Sequence, residues 1–364
     1  MTSSDQTEIS ESAPSGSPRA GSFSLDVERR TIPDALRDYF FRLRTGEPGA
    51  LPAVLGIVVL VVIFSQVSDR FLTLNNIGNV PGQGAYIAII AMGLIFVLLL
   101  GEIDLSAGTT GGMCAGFAVE AIFSGNLRDD ISAGVYWAIV IGLILSLALG
   151  VWLKAYSASV IVLVGLILLL TNAVKHEIPA LIAALAIGTA VGIFNGWLVA
   201  KIGIPSFITT LALFLAWQGV LLFAVKSQPK GTTNYSFWYG LTQNNMSPAW
   251  SWVFTIVVIA GYLAYTLLKS ITAQRRGLSA DSISLVLLRG GIIAAIGIVI
   301  TILANRNRNT NPYLKIEGLP WAAVVPVGLM ILCTIALTKT PWGRHLYAAG
   351  GNQEAARRAG IDVV

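Results

Sequence analysis

Apolar stretches of hydrocarbon length recur along this chain, at 52–68, 84–100, 106–124, 133–153, 158–174, 178–200, 206–225, 250–268, 284–304 and 319–338. A bilayer core takes about 20 mostly apolar residues per helix, with a range of about 17–25. Backbone N–H and C=O groups left unpaired in lipid cost several kcal/mol each, so a spanning segment must be a helix or part of a closed barrel. These runs are continuous and too long for barrel strands. They predict an all-α integral membrane protein with about ten transmembrane helices. The segment 106–124 opens on Ser, Gly and Thr, so a re-entrant or broken helix stands beside a full span there.

Charge agrees with lipid as the solvent. Only 12% of the residues are charged, against about 25% in soluble domains. Eight of the 19 acids fall in the first 47 residues. If the N-terminus is cytoplasmic and every segment crosses, Lys and Arg divide 16 to 8 in favour of the cytoplasmic side. That is the direction of the positive-inside rule. In this setting the net charge of +5 reports orientation and does not call for nucleic acid. The chain then divides into a cytoplasmic tail over 1–50, a membrane domain over 51–338 and a cytoplasmic segment over 339–364.

The tail has no secretory signal, and residues 1–25, rich in Ser, Pro and Gly, read as disordered. Residues 32–44 alternate apolar and charged positions at helical spacing, which fits either a surface-lying amphipathic helix or a solvated tail. Cys114 and Cys333 lie inside apolar runs, and the two histidines form no cluster with metal spacing. Disulfide staples and zinc chemistry are therefore unsupported. On the outer side, residues 226–249, followed by Trp250, and 305–318 form polar loops with aromatics. Trp250 and Trp252 read as interfacial anchors, whereas Tyr235 to Tyr239 fit either an anchor or a docking surface for an extracytoplasmic partner.

Small residues recur every fourth position at Gly108, Gly112 and Gly116, and again at Ala184, Gly188, Gly192 and Gly196. Such stripes let helix backbones approach closely, so helix packing is the reading for both. The stretch from Gly101 to Gly108 places Glu102 and Asp104 at a membrane helix end. Carboxylates there are costly unless they reach water, a partner or a cavity. One reading is a capped turn, with Ser106 or Asp104 as the cap of the next helix. The other is a break whose polar groups face a substrate path. Glu102, Asp104 and Ser106, together with the intramembrane Asn195 and Gln218, are the candidates for a translocation path. Interhelical hydrogen bonding is the alternative role for Asn195 and Gln218. Glu120 is a further intramembrane acid, functional or simply wet near the outer end. Two carboxylates on one intramembrane turn, without a soluble cleft, do not make a glycosidase.

In the tail end, Gln353 to Ala359 read as a short helix, with Asn352 as N-cap, Glu354 in the first turn and Gly360 as terminator. An exposed helix with Ala on one side and Arg on another suits docking into a groove of another protein, or it is an ordinary amphipathic loop helix.

Three motifs occur in order: GEIDLSAG at 101–108, NGWLVAKIGIPSFITTLALFLAWQGVLL at 195–222 and GRHLYAAGGNQEAARRAGIDV at 343–363. Together they resemble the permease subunits of bacterial ABC sugar importers of the ribose/xylose type. The Glu-Ile-Asp-Leu-Ser form of the first motif and the polar loops at 269–289 and 305–318 resemble the xylose branch, over roughly residues 50–364. The resemblance implies a permease in the bacterial cytoplasmic membrane, importing xylose or a related monosaccharide. It implies that the chain itself binds no ATP and no cofactor; ATP is used by a partner ABC ATPase subunit. Further implied partners are an extracytoplasmic sugar-binding protein, membrane lipid and a second permease copy, as a homodimer. Asn352, Glu354, Ala355, Ala356, Arg357 and Gly360 match the family's coupling motif, which sits against the ATPase. The absence of a GxxxxGK[ST] phosphate loop from the sequence is consistent with this. The family continues beyond the coupling motif with further membrane helices, so a truncated product is expected here, and residues 133–174 look like an extra helix pair. Rival readings are an ion-coupled secondary transporter using Glu102, Asp104 or Glu120, a membrane enzyme, and a nonfunctional truncated permease.

Overall fold

The computed structural model describes residues 29–46, 49, 51–124, 126–225, 236–278, 280–309, 311 and 313–363. The expected disorder over 1–25, and Tyr235, lie outside the described residues. The helices run in chain order as α1 (Ile32–Arg44), α2 (Leu51–Val67), α3 (Leu74–Leu99), α4 (Ala107–Ser124) and α5 (Leu127–Asp130). They continue as α6 (Ala133–Trp152), α7 (Tyr156–Leu170), α8 (Glu177–Trp197), α9 (Ser206–Val225) and α10 (Ser236–Thr242). The last five are α11 (Pro248–Arg275), α12 (Ile283–Ala304), α13 (Val324–Lys339), α14 (Pro341–Gly351) and α15 (Gln353–Arg358).

All ten apolar segments of the sequence fall on helices. Among the described residues, seven helices are long and apolar enough by themselves to cross a membrane: Leu74–Leu99, Ala133–Trp152, Glu177–Ile202, Ser206–Phe223, Pro248–Arg275, Ile283–Ala304 and Trp321–Lys339. The other three are α2 and α7, which are apolar but shorter, and α4, whose first turns are diluted by Gly and Thr. One helix extends well beyond its apolar run. Helix α3 begins at Leu74, ten residues before 84, and runs through Pro81. Proline lacks the N–H that continues a helix, yet α3 passes through it without ending. The Thr73 hydroxyl, accepting from the Asn76 N–H at 3.4 Å, caps the true start.

Contacts divide the chain into two units. The first comprises Met1–Ser68 and Trp252–Ile300. In it, Arg29 and Arg30 pair in parallel with Ala280 and Asp281. The Asp281 carbonyl accepts from the Ser270 hydroxyl at 2.7 Å, and its carboxylate meets Arg289 at 2.7 Å. The expected helix over 32–44 is α1, with Thr31 and Asp34 forming a capping box. Helix α2 exposes Leu55, Val58, Leu60 and Ile63, among others, around its circumference. A helix apolar all round is at home in hydrocarbon and not in water.

The second unit comprises Asp69–Ser251 and Thr301–Val364. Its core lies where α4, α6, α7 and α8 meet, around Phe117, Ala121, Val140, Leu143, Val162 and Ala183. The pair α6–α7 is the helix pair expected over 133–174, and its turn passes through Lys154 with φ 59°. Gly150 fits this pairing closely: a Cβ there would lie 2.6 Å from the Ser159 hydroxyl and 3.1 Å from Ile193. Gly165 of α7 sits directly on Ala186 of α8, where a Cβ would collide with the alanine methyl. Van der Waals fit is the main force between helices in lipid, so these backbone approaches hold the four helices together.

Hydrogen bonds sort the unit's connections into two groups. Trp238 donates its N–H to Glu177 at 2.8 Å, Met246 donates to the Leu319 carbonyl at 2.7 Å, and Arg308 reaches Gly78. These connections share one end. Ile103 meets Ser206 and Gly350 meets Leu99, which gathers the turns 100–106 and 203–206 and helix α14 into the other.

Candidate functional site

Helix α3 ends in a double carbonyl cap. The Glu102 N–H donates to the Val97 carbonyl at 3.3 Å and the Gly101 N–H to that of Leu98 at 3.0 Å. Gly101 takes φ +80°, the left-handed conformation that this Schellman termination requires. The chain then extends through Glu102 to Leu105 before α4 begins. Asp104 Oδ1 accepts from the Ser106 backbone N–H at 2.8 Å and from its hydroxyl at 2.7 Å. Of the two caps considered from sequence, Asp104 therefore takes the backbone N–H. Ser106 is fully buried, and its oxygen also accepts from Asn195 Nδ2 of α8 at 3.4 Å.

Helix α9 holds the other edge of this break. The Ser206 hydroxyl accepts from the Ile103 N–H at 3.2 Å, and the Thr210 hydroxyl donates to the Ile103 carbonyl at 3.2 Å. The segment leading into α9 is itself irregular: α8 loosens into a π-helical turn over Leu198–Ile202, and Gly203 stops it. Such π turns occur preferentially at functional sites.

Asp104, Ser106 and Asn195 are thus brought together, and Glu102 lies half-buried beside them. Gln218 is not part of the cluster. It is exposed on α9, twelve residues beyond Ser206, which is about 18 Å along the helix axis. Three buried oxygens at the ends of these helices, Thr110 Oγ1, Thr209 Oγ1 and Asn195 Oδ1, have no partner among the described residues. An unsatisfied buried polar atom costs about 1–3 kcal/mol. Their presence marks a helix junction able to hydrogen-bond water or a passing hydroxyl.

The small-residue stripes meet neighbours at Gly112, where a Cβ would lie 3.2 Å from Leu221 of α9, and at Gly188, where one would lie 3.4 Å from Cys114 of α4. On the Cβ side of Gly108, Gly192 and Gly196 the space is open. Gly150 and Gly165 approach their neighbours more closely than these stripes do, and no four-residue periodicity reveals them. Glu120 lines an apolar cavity of about 980 Å³ with Trp197, Trp217 and Phe223, among α4, α6, α8 and α9. That lining suits hydrocarbon better than a polyol.

The C-terminal helices carry the second candidate region. The Thr340 hydroxyl caps α14 by accepting from the Gly343 N–H at 3.1 Å, with Pro341 in the first turn. Trp342 packs on Phe96 of α3 with ring centroids 5.5 Å apart. Asn352 Oδ1 accepts from the Ala355 N–H at 2.9 Å, which starts α15 as expected. Gly360, at φ +79°, follows its end. Ala356 is buried, whereas Asn352, Glu354, Ala355, Arg357 and Gly360 are exposed. Glu354 and Arg358 pair across one turn at 3.1 Å, a contact worth little in water.

Arg308 was visible in sequence only as part of a polar outer loop. The structure buries it to 5% exposure. Its guanidinium donates to the carbonyls of Ala304 and Gly318 at 3.2 Å each and of Gly78 at 3.4 Å. Burial pushes its pKa down. The loop around it is stiffened by a ladder of asparagine side chains, in which Asn307, Asn309 and Asn311 each accept from the backbone two residues on. The alternating Asn-Arg pattern is the sequence trace of that ladder.

A family model described as branched-chain amino acid transport system / permease component matches residues 155–364. The xylose transport system permease protein XylH of Haemophilus influenzae is 28% identical over 328 residues, covering 89% of this chain and 71% of that protein. XylH of Escherichia coli is 26% identical over 311 residues, covering 85% of this chain and 64% of the relative. The ribose import permease protein RbsC of Escherichia coli is 26% identical over 231 residues, covering 62% and 56%. The chain thus spans between roughly half and three quarters of the length of these relatives. No solved structure matches it.

Proposed function

This chain belongs to the family of branched-chain amino acid transport system permease components, and from that premise we propose that it is the membrane permease of an ABC importer for a monosaccharide. The observation that carries the sugar reading is the similarity to a protein named for xylose transport across 89% of this chain. Xylose or a related pentose is the substrate. The energy comes from a separate ABC ATPase subunit, since the sequence carries no phosphate loop of its own. An extracytoplasmic sugar-binding protein delivers the substrate, and a second copy of the chain completes the pathway.

In this reading all ten apolar helices cross the bacterial cytoplasmic membrane, including the shorter α2 and α7 and the glycine-rich α4. The N-terminus is cytoplasmic, supported by the distribution of Lys and Arg. The turns 100–106 and 203–206 and helix α14 then lie on the cytoplasmic side. The break at Glu102–Ser106, with Asn195 and the orphaned hydroxyls of Thr110 and Thr209, lines the inner end of the path. Transient hydrogen bonds from such groups lower the barrier for a polyol without holding it tightly. The exposed residues Asn352, Glu354, Ala355, Arg357 and Gly360 dock on the ATPase, and its closure upon binding ATP drives alternation of the path.

Uptake of radiolabelled xylose and ribose by cells carrying this chain and its partners tests the reading. Inactivating the partner ATPase abolishes uptake, and a proton uncoupler with ATP maintained leaves it intact. The reverse pattern identifies an ion-coupled transporter. No uptake of either sugar, with ATPase and binding protein present, rules out the pentose assignment.

A further inference from the structure

We propose that Gly350 forms a rigid joint through which the C-terminal helices act on the intramembrane break at Gly101–Ser106. The inference rests on the importer reading and names the positioning residue that its coupling step requires. At Gly350 the backbone of α14 lies directly on the last turn of α3. A Cβ there would overlap the Leu99 carbonyl oxygen, with the carbonyl carbon 2.7 Å away and Leu100 Cα 3.2 Å away. The contact is backbone on backbone. No rotamer change can absorb a displacement of one element against the other, and close-packed interiors transmit strain. The ring contact between Trp342 and Phe96 seats α14 on α3 at a second point.

What lies on either side gives the joint its use. On one side Ala349 and Ala356 are buried, while the rest of α15 faces outward one residue beyond α14. A force on α15 therefore reaches α14 without a flexible linker. On the other side, two residues after Leu99, Gly101 turns the chain at φ +80°. Ile103 is then tied to Ser206 and Thr210 of α9, and Ser106 to Asn195 of α8. A shift of the α3 end is passed to two further helices within seven residues of the joint. Gly351, the next residue, meets nothing within 4 Å of its own Cβ position. Adjacent glycines with opposite surroundings supply their own control.

The test uses the whole importer, permease with ATPase and binding protein, reconstituted in liposomes. Xylose uptake and ATP hydrolysis are measured in parallel for wild type, Gly350→Ala, Gly351→Ala and Phe96→Ala. Gly350→Ala is expected to lower sugar moved per ATP at least tenfold, with hydrolysis within twofold of wild type. Gly351→Ala is expected to leave the ratio unchanged. Phe96→Ala, which loosens the joint without overfilling it, is expected to lower the ratio severalfold, and it decides the matter if Gly350→Ala does not assemble. As a second readout, nucleotide-dependent maleimide labelling of a cysteine at Ile103 is lost in Gly350→Ala and kept in Gly351→Ala. A Gly350→Ala complex as well coupled as Gly351→Ala overturns the joint alone, as does an unchanged ratio in Phe96→Ala. A wild-type complex that hydrolyses ATP without sugar uptake overturns the importer reading, and the joint with it.

Discussion

Replacing Gly78 with alanine should destabilise the protein when Arg308 is present and stabilise it when Arg308 is absent. The three atoms nearest to a Cβ at Gly78 are Cδ, Nη1 and Nε of Arg308, the last at 2.6 Å. Forcing a methyl into such a site costs about 1–3 kcal/mol. Alanine in a helix interior gains about 0.5–1 kcal/mol over glycine. The net for Gly78→Ala is a loss of about 1 kcal/mol, at most about 2.5, combining those two terms. Arg308→Ala removes the guanidinium that spans the carbonyls of Gly78, Ala304 and Gly318. Each such bond is worth about 1.5–3 kcal/mol, but a buried charge costs several kcal/mol in desolvation. The net loss is about 1–3 kcal/mol by those figures. In the Arg308→Ala background the collision is gone, and Gly78→Ala should gain about 0.5–1 kcal/mol from propensity alone. The coupling of about 2 kcal/mol is well above the additivity error of about 0.5 kcal/mol. Detergent-solubilised protein, unfolded by heat or denaturant and followed by the fluorescence of its nine tryptophans, supplies the four stabilities of the cycle. Equal effects of Gly78→Ala in both backgrounds would refute the buried position of Arg308.

The remaining predictions concern packing and caps. Gly165→Ala should lower stability by about 1–2 kcal/mol through collision with Ala186, whereas Gly142→Ala, facing open space, should be neutral or slightly stabilising in the same unfolding assay. Asp104→Ala should cost about 1 kcal/mol by removing the acceptor of the Ser106 N–H, and Asp104→Asn should recover about half of that, again read by unfolding. The Thr31 hydroxyl and N–H hold the Asp34 carboxyl below the ordinary carboxylate pKa. The cap of α1 is therefore intact above that ordinary value and is lost as pH falls through the lowered one. Circular dichroism of a peptide spanning 29–46 should show an acid loss of helix that Asp34→Asn abolishes.

Much of the fold could be read from the chain because lipid imposes one dominant rule, a run of apolar residues long enough to span. Each of the ten runs is helical, and the Asn352–Gly360 helix has the cap and terminator read from its sequence. The polar first turns of α3 lie outside its apolar run and pass through Pro81, held where Arg308 bonds the Gly78 carbonyl, so no hydropathy pattern marks them. The candidate site was legible in part. Asp104, Ser106 and Asn195 converge, since polar groups inside apolar helices seek one another. Gln218 does not join them, because twelve residues of helix carry it about 18 Å from Ser206, a spacing that follows once 206–225 is read as one helix. Arg308, Gly350 and the anchoring of Ile103 by α9 depend on pairings between residues 100 to 250 positions apart, and no local pattern encodes those.

Sidedness of the C-terminal helix is the most direct check on the whole account. With Cys114 and Cys333 replaced by serine, a single cysteine at Glu354 would be challenged with a membrane-impermeant maleimide. The importer reading predicts no labelling in intact cells, labelling in inside-out vesicles, and protection there when the partner ATPase is bound. Labelling of that cysteine from outside intact cells would contradict it.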